Sequence, residues 1–259
     1  MGGFGASDVN PFDLCNKTAI VTGANTGLGQ GIAIALAQAG AVIVGVGRSS
    51  MDETQTRIAE GGGTFHPVTA DLSSIAGIPR IIEETQALAG RADILVNNAG
   101  VIRRADALDF TEQDWDDVMN VNLKSMFFLS QAFARHVVGR SGRGKIINVA
   151  SVLAFQGGIR IAPYTASKHG AAGLTRLLAN EWASRGINVN AIAPGYCATN
   201  NTQAIRDDAE RNAAILARIP AGRWGSPEDM GGAAVFLASA ASDYCHGSVL
   251  VIDGGWLAR

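Results

Sequence analysis

The chain has 259 residues, 47% of them hydrophobic, with 32 glycines, three cysteines and a formal charge of −2. That length buries one sizeable core, while the near-neutral charge argues against a broad nucleic-acid surface. Cys15, Cys197 and Cys245 are odd in number and far apart, which excludes a disulfide framework and a cysteine-based metal cluster.

No apolar run reaches the roughly 18 residues of a membrane span. The chain does not open with a basic region followed by an apolar run, so no secretory signal is expected. The expectation is a cytoplasmic protein that binds neither membrane, nucleic acid nor metal.

Residues 1–17 are rich in Gly, Asn and Asp and are expected to form a loose arm. From Thr18 onward, short apolar runs alternate with longer helical patterns. "TAIVTG" predicts a buried strand ending in a turn, and "GQGIAIALAQAG" an apolar helix closed by glycine. "AVIVGVG" is a second strand, "DETQTRIAEGG" a short helix, and "TFHPVTADL" a strand entering a loop. "IPRIIEETQALAG" is a helix with proline near its start, and "ADILVNNAG" a fourth strand.

A helix around Trp115–Arg140 is interrupted near Asn120–Asn122. "GKIINVAS", the long helix from Tyr164 to Gly186, and "INVNAIAPG" follow. A polar stretch at 197–226 suits a segment covering a substrate, or an ordinary pair of surface helices. A helix over Pro227–Ala238 and the strand "GSVLVIDGG" end the pattern. Strands joined by crossover helices predict an α/β fold: a Rossmann-type, doubly wound parallel sheet, forming a single domain over 18–259.

"TGANTGLG" lies between the first strand and the first helix, with Gly23, Gly27 and Gly29 spaced G-x-x-x-G-x-G. Such a turn brings backbone N–H groups and a helix N-terminus against a pyrophosphate. Asn25, Thr26 and Leu28 belong to the same cradle. At the end of the second strand, where an acid would bond a ribose 2′-hydroxyl, stand Gly47, Arg48 and Ser49. Arginine pairs with a 2′-phosphate and favours NADP; Asp52 or Glu53 folding back would favour NAD, so both cofactors stay open. Asp71 and Leu72 close the third strand and suit the adenine, or Asp71 caps the next turn. Asn98, Ala99 and Gly100 of "NNAG" suit a braced backbone that a cofactor approaches, although Asn98 also suits a purely structural role.

Tyr164 and Lys168 are four apart on one helix and share a face. A free tyrosine has a pKa near ~10, and a neighbouring cation favours its phenolate. The pair suits proton exchange with a substrate oxygen while hydride moves at a nicotinamide. Ser151 ends the fifth strand at the ligand-binding edge and can orient that oxygen. Asn122, a poor helix former, can hold a water that relays protons to Lys168. Separately these residues suit packing, capping or solvation; together, behind a glycine turn, they make a site.

In this order, "TGANTGLG", "NNAG", Asn122, Ser151, "YTASK" and "APG" resemble the short-chain dehydrogenase/reductase family over nearly the whole chain. The resemblance implies that Asn122, Ser151, Tyr164 and Lys168 form a catalytic tetrad. It also places Pro194, Gly195 and Thr199 by the nicotinamide carboxamide. "FQGGIRIAPYTASK", "GYCATNNTQAIR", "IPAGRWG" and "DGGWLAR" are similar to the family's sugar-acid dehydrogenases, which are usually NAD-preferring homotetramers.

Members acting on gluconate at C5, or reducing deoxy-uronate ketoses, stay open as alternatives. A sugar acid needs a cation for its carboxylate and polar partners for its hydroxyls, which suits Arg103, Arg104, Gln156, Arg160 and Asn200. Arg160, between Ser151 and Tyr164, is the first choice for the carboxylate and Arg104 the second. A protein of another class, a dinucleotide sensor or scaffold without chemistry, is expected to break the Tyr–Lys pair, which is intact here.

Overall fold

The computed structural model describes residues 10–259, so residues 1–9 of the expected arm lie outside the described residues. The rest of that arm is docked. Leu14 is 1% exposed in the core, its N–H bonds Ala39 O at 2.9 Å, and Ala241 N–H bonds Pro11 O.

The strands are β1 (Thr18–Thr22), β2 (Val42–Gly47), β3 (Phe65–Thr69), β4 (Ile94–Asn97), β5 (Gly144–Val149), β6 (Ile187–Pro194) and β7 (Val249–Ile252). They form one seven-stranded sheet in the order β3-β2-β1-β4-β5-β6-β7, parallel throughout. Alternate residues of each strand face opposite sides, and both sides are covered. On one side Val21, Ile43, Val96 and Ile147 pack against Ile32 and Leu36 of helix α1 (Gly27–Gln38) and Leu237 of helix α9 (Gly231–Ala238). On the other, Ile20, Val44, Leu95 and Ile146 meet helices α3 (Ile78–Ala89) and α5 (Ser125–Gly139) through Ile81 and Phe133, and helix α6 (Ala162–Trp182) through Leu178. Burial on both faces explains the nearly continuous apolar runs of the inner strands.

Helix α2 (Asp52–Glu60) follows β2, and helix α4 (Glu112–Met119) precedes α5. The interruption expected near Asn120–Asn122 is a π-helical turn over Asn120–Lys124. Residues 197–226 carry two short helices, α7 (Gln203–Arg206) and α8 (Ala209–Arg218). Among the described residues, no helix is long and apolar enough to cross a membrane.

The chain runs outward from β1 to β3 and then returns to lay β4 on the other side of β1. Ligands bind such sheets outside the carboxyl ends of the strands where the order reverses. That point lies between Thr22 and Asn97.

Candidate active site

The carboxyl ends of β1 and β4 are locked together. Asn98 N–H and Ala99 N–H both donate to Thr22 Oγ1 at 2.9 Å, and Asn98 Nδ2 donates to Thr22 O at 2.9 Å. Gly23, at φ +68°, adopts a left-handed backbone beside this lock, where a Cβ would lie 2.8 Å from Asn98 Nδ2. Asn98 is therefore a brace that also lines the cleft above it.

That cleft, about 410 Å³, runs along the sheet edge. One end is lined by Gly47, Arg48, Ser49, Asp71 and Leu72; the middle by Gly23, Asn25, Thr26, Gly27, Leu28, Asn98, Ala99 and Gly100; the far end by Ser151, Tyr164, Lys168, Pro194, Gly195, Thr199 and Asn200. Val46, Ala70, Val101, Val121, Val149, Ala150, Cys197, Asn201 and Thr202 also line it, each beside or near a residue that the sequence singles out. Gly29 lies just beneath, packed on Gly23 and Asn98.

A nicotinamide dinucleotide fits this cleft. Thr26 precedes α1 in extended backbone (φ −162°), no side chain caps the helix, and its first turn holds no acid. The helix therefore keeps its N-terminal donors for an anion. Gly27 leaves room there, since a Cβ would meet nothing nearer than Thr199 Cγ2 at 3.5 Å. At the adenosine end, Arg48 Nη1 lies 3.9 Å from Asp71 Oδ1, with both side chains well exposed. Asp71 also accepts Ser73 N–H at 2.9 Å, so it does cap the next turn. That bond, ahead of Arg48, holds its carboxyl below the usual range.

At the far end, α6 presents Tyr164 and Lys168 on one face. The helix is held by a buried polar ladder: Asn97 Nδ2 donates to Asn148 Oδ1 and to Ser130 Oγ, both at 2.9 Å, and Asn148 Nδ2 donates to Thr175 Oγ1 at 2.9 Å. Sequence reasoning missed this ladder; polar residues at fully buried strand ends were its only signal.

Lys168, 5% exposed, donates to Val149 O at 2.6 Å. Burial pulls its pKa down to about 8, so it stays mostly a cation at neutral pH. Burial pushes the Tyr164 phenol up to about 12, against the smaller opposing pulls of the Ser151 hydroxyl and Arg104. Lys168 Nζ is 5.4 Å from the Tyr164 ring centroid, with its ammonium turned to a carbonyl, and loss of solvent outweighs the charge nearby.

Ser151 Oγ accepts Leu153 N–H at 3.2 Å, and its hydroxyl is near enough to Tyr164 to pull the phenol's pKa down. Asn122, buried in the π turn, spends its amide on protein: Oδ1 accepts Val101 N–H at 2.8 Å, and Nδ2 donates to Val101 O at 3.0 Å and Ser167 Oγ at 3.3 Å. It sits beside the cleft rather than in its wall.

The candidate substrate residues separate. Asn200 lines the cleft and reaches Thr26 Oγ1 at 3.4 Å. Arg104 Nη2 donates to Asn201 O at 2.8 Å. Burial and the nearby Arg211 lower the pKa of the Arg104 guanidinium, which stays a cation, and Tyr164 is close enough to act on it in the other direction. Arg104, Arg160 and Gln156 are all absent from the cleft wall. Arg160 sits at φ +63°, its Nε is 3.2 Å from Asp106 Oδ1, and its carbonyl accepts Ala105 N–H. It ties two rim loops together through a solvent-exposed ion pair, whereas the Arg104 guanidinium bonds a backbone carbonyl. Arg103 is likewise paired, with Asp114 and Asp117.

Helix α8 is anchored by Trp224 Nε1 donating to Asn212 Oδ1 at 2.7 Å, Arg218 lying 3.9 Å over the Trp256 ring, and Arg259 Nη2 donating to Ala217 O at 2.6 Å.

A family model described as enoyl-(acyl carrier protein) reductase matches residues 23–257. The 2-dehydro-3-deoxy-D-gluconate 5-dehydrogenase of Escherichia coli K12 is 59% identical over 251 residues, covering 97% of this chain and 99% of that protein. A candidate 2-deoxy-D-gluconate 3-dehydrogenase from Agrobacterium tumefaciens, solved with bound NADP, is 58% identical with a TM-score of 0.92, covering 97% of this chain and all of that one. A gluconate 5-dehydrogenase from Burkholderia cenocepacia, solved with NADP and tartrate, is 40% identical with a TM-score of 0.90, covering 96% and 98%.

Proposed function

This chain belongs to the short-chain dehydrogenase/reductase family, and from that premise we propose that it interconverts a hydroxyl and a keto group on a sugar acid, using NAD or NADP. The substrate we favour is 2-dehydro-3-deoxy-D-gluconate, reacting at C5. The observation that carries this reading is the meeting of Ser151, Tyr164 and Lys168 in one cleft, with Arg104 bonded to the backbone carbonyl of Asn201, which lines that cleft. Full-length similarity to a 2-dehydro-3-deoxy-D-gluconate 5-dehydrogenase supports the choice of acid. Gluconate is the second reading, supported by the Burkholderia relative. We carry the cytoplasm and a homotetramer into this proposal from the family resemblance.

When bound, the dinucleotide accepts or supplies hydride at its nicotinamide ring. In reduction the Ser151 hydroxyl donates to the substrate carbonyl oxygen, its own oxygen being held by Leu153 N–H. Tyr164, a phenol at neutral pH, gives its proton to that oxygen as hydride reaches the carbon; in oxidation it must first lose that proton to solvent, and as phenolate it then takes one from the substrate hydroxyl. Lys168, fixed by Val149 O, turns its remaining hydrogens to the cofactor ribose. Asn122, its side-chain amide committed to Val101 and Ser167, stands beside the cleft, where it holds a water that relays protons to Lys168. Residues 197–226 cover the bound acid.

Measuring dinucleotide absorbance at 340 nm with a panel of sugar acids tests the assignment; turnover of 2-dehydro-3-deoxy-D-gluconate no better than that of neutral sugars refutes it. In the same assay, Arg104→Met is expected to lower kcat/KM for the acid about 10–150-fold, the span of a hydrogen bond to a charged group, and to leave the matching neutral sugar alcohol unaffected. Equal loss on both substrates assigns Arg104 to holding Asn201 alone. Arg48→Asp is expected to lower kcat/KM with NADP about tenfold or more while NAD use holds or improves, because a cation facing a 2′-phosphate becomes an anion. An unchanged cofactor ratio shows Arg48 to be solvated.

A further inference from the structure

Behind the glycine turn, on the side away from the cleft, lies a chain of side chains that the proposed chemistry does not use. Thr54 of α2 is fully buried, and its Oγ1 donates to Ala24 O at 2.7 Å. The same oxygen accepts Gln30 Nε2 of α1 at 3.0 Å. Gln30 Oε1 accepts Arg57 Nη1 at 3.1 Å, and Arg57 Nη2 lies 3.6 Å from Glu228 Oε1.

Ala24 is itself fully buried, so its carbonyl depends on Thr54 for a partner. In a trans peptide the C=O and the next N–H point opposite ways. Holding Ala24 O against α2 turns the Asn25 N–H away from α2, and Asn25 lines the cleft. Each link fixes the next: Gln30 leaves Thr54 only one use for its hydrogen, and Arg57 settles which way the Gln30 amide faces.

We propose that Thr54, oriented by Gln30 and Arg57, is a positioning residue for the dinucleotide: it fixes the Ala24–Asn25 peptide in the orientation the cofactor meets. The inference rests on the reading of the cleft as a dinucleotide site. Thr54→Val keeps the shape of the side chain and removes the hydroxyl; the peptide then turns to seek another partner, and the turn loses its set.

Titrating NADP, and separately NAD, into wild type, Thr54→Val and Thr54→Ser by calorimetry tests this. In Thr54→Val the Ala24–Asn25 peptide turns away in the free protein and must be turned back on binding, so Kd for the better-bound dinucleotide is expected to rise about 5-fold or more. Thr54→Ser, which keeps the hydroxyl, is expected to restore tight binding. In steady state, KM for the dinucleotide rises with Kd, while KM for the sugar acid and kcat at saturating cofactor stay near wild type.

If Thr54→Val does not fold, Gln30→Met is read in its place, with a smaller rise in Kd expected. A folded Thr54→Val or Gln30→Met with wild-type Kd overturns the proposal, as does equal weakening by Val and Ser. A wild type that binds neither dinucleotide is a different failure: it removes the dinucleotide site itself and this proposal with it.

Discussion

Tyr164→Phe is expected to lower kcat by about 10²–10⁴-fold, the usual share of a general acid–base group, while the dinucleotide binds as before. The substitution removes one oxygen and keeps the ring against its neighbours. Lys168 keeps its bond to Val149 O, and Ser151 keeps its bond to Leu153 N–H. Because burial already holds the phenol protonated, the loss should be seen in the reduction direction at neutral pH, where proton donation is the missing act. Single-turnover rates with saturating sugar acid and reduced cofactor, read beside calorimetric Kd values, give the answer. A folded Tyr164→Phe protein within a factor of a few of wild type would falsify the acid–base role.

Gly29→Ala is expected to disable cofactor binding and to destabilise the fold. A Cβ at Gly29 runs into Gly23 O and Asn98 Nδ2, the same atoms that close the turn onto β4. Gly23 O is backbone, and Asn98 Nδ2, though the end of a side chain, is tied to Thr22 O at 2.9 Å. Forcing a methyl into such packing costs roughly 1–3 kcal/mol, a fall in Tm of about 2–12 °C at ~2–4 °C per kcal/mol for a domain approaching this size. The comparison is Gly232→Ala in α9, where a Cβ meets nothing within 4 Å; there a gain of about 0.4–1 kcal/mol is expected from a less flexible unfolded chain. Thermal melts of the two variants with and without NADP test the contrast. Similar melting temperatures, or a Gly29→Ala protein stabilised by NADP as wild type is, would remove the close-approach account.

The parallel sheet was legible because both of its faces are buried, and burial writes itself into the chain as apolar runs. The cleft was legible for a similar reason: a turn that must let backbone approach backbone leaves glycines. The candidate rim was harder to read. Arg160 stands close in sequence to both Ser151 and Tyr164, yet Asp106, more than fifty residues earlier, takes its guanidinium. Nothing local to Arg160 announces that partner. The ladder of Asn97, Asn148 and Thr175 was missed because each residue looks like an ordinary polar residue until the strands are paired. The phenol's upward shift was out of reach as well, since spacing along a helix shows which groups share a face and not how much water reaches them. Leu14 shows the same limit: the apolar residues scattered through the arm have no period, and only the fold reveals that Leu14 fills the core.

The strand order has a consequence for how the chain is made. β2 and β3 are added in turn to one side of β1, then β4, β5, β6 and β7 in turn to the other. No strand has to be inserted between two that already pair, so each one emerging from the ribosome finds a finished edge to join. The growing sheet nevertheless always ends in an open edge, and each addition must wait for its crossover helix, which makes parallel pairing slow and exposed to wrong partners. On the β3 side that exposure ends early. Pro67, opposite Gly45 of β2, has no N–H to offer a further strand, and a proline is tolerated there because β3 is an edge. From the completion of β3 onward, growth of the nascent sheet is directed to the side where β4 through β7 are still to come.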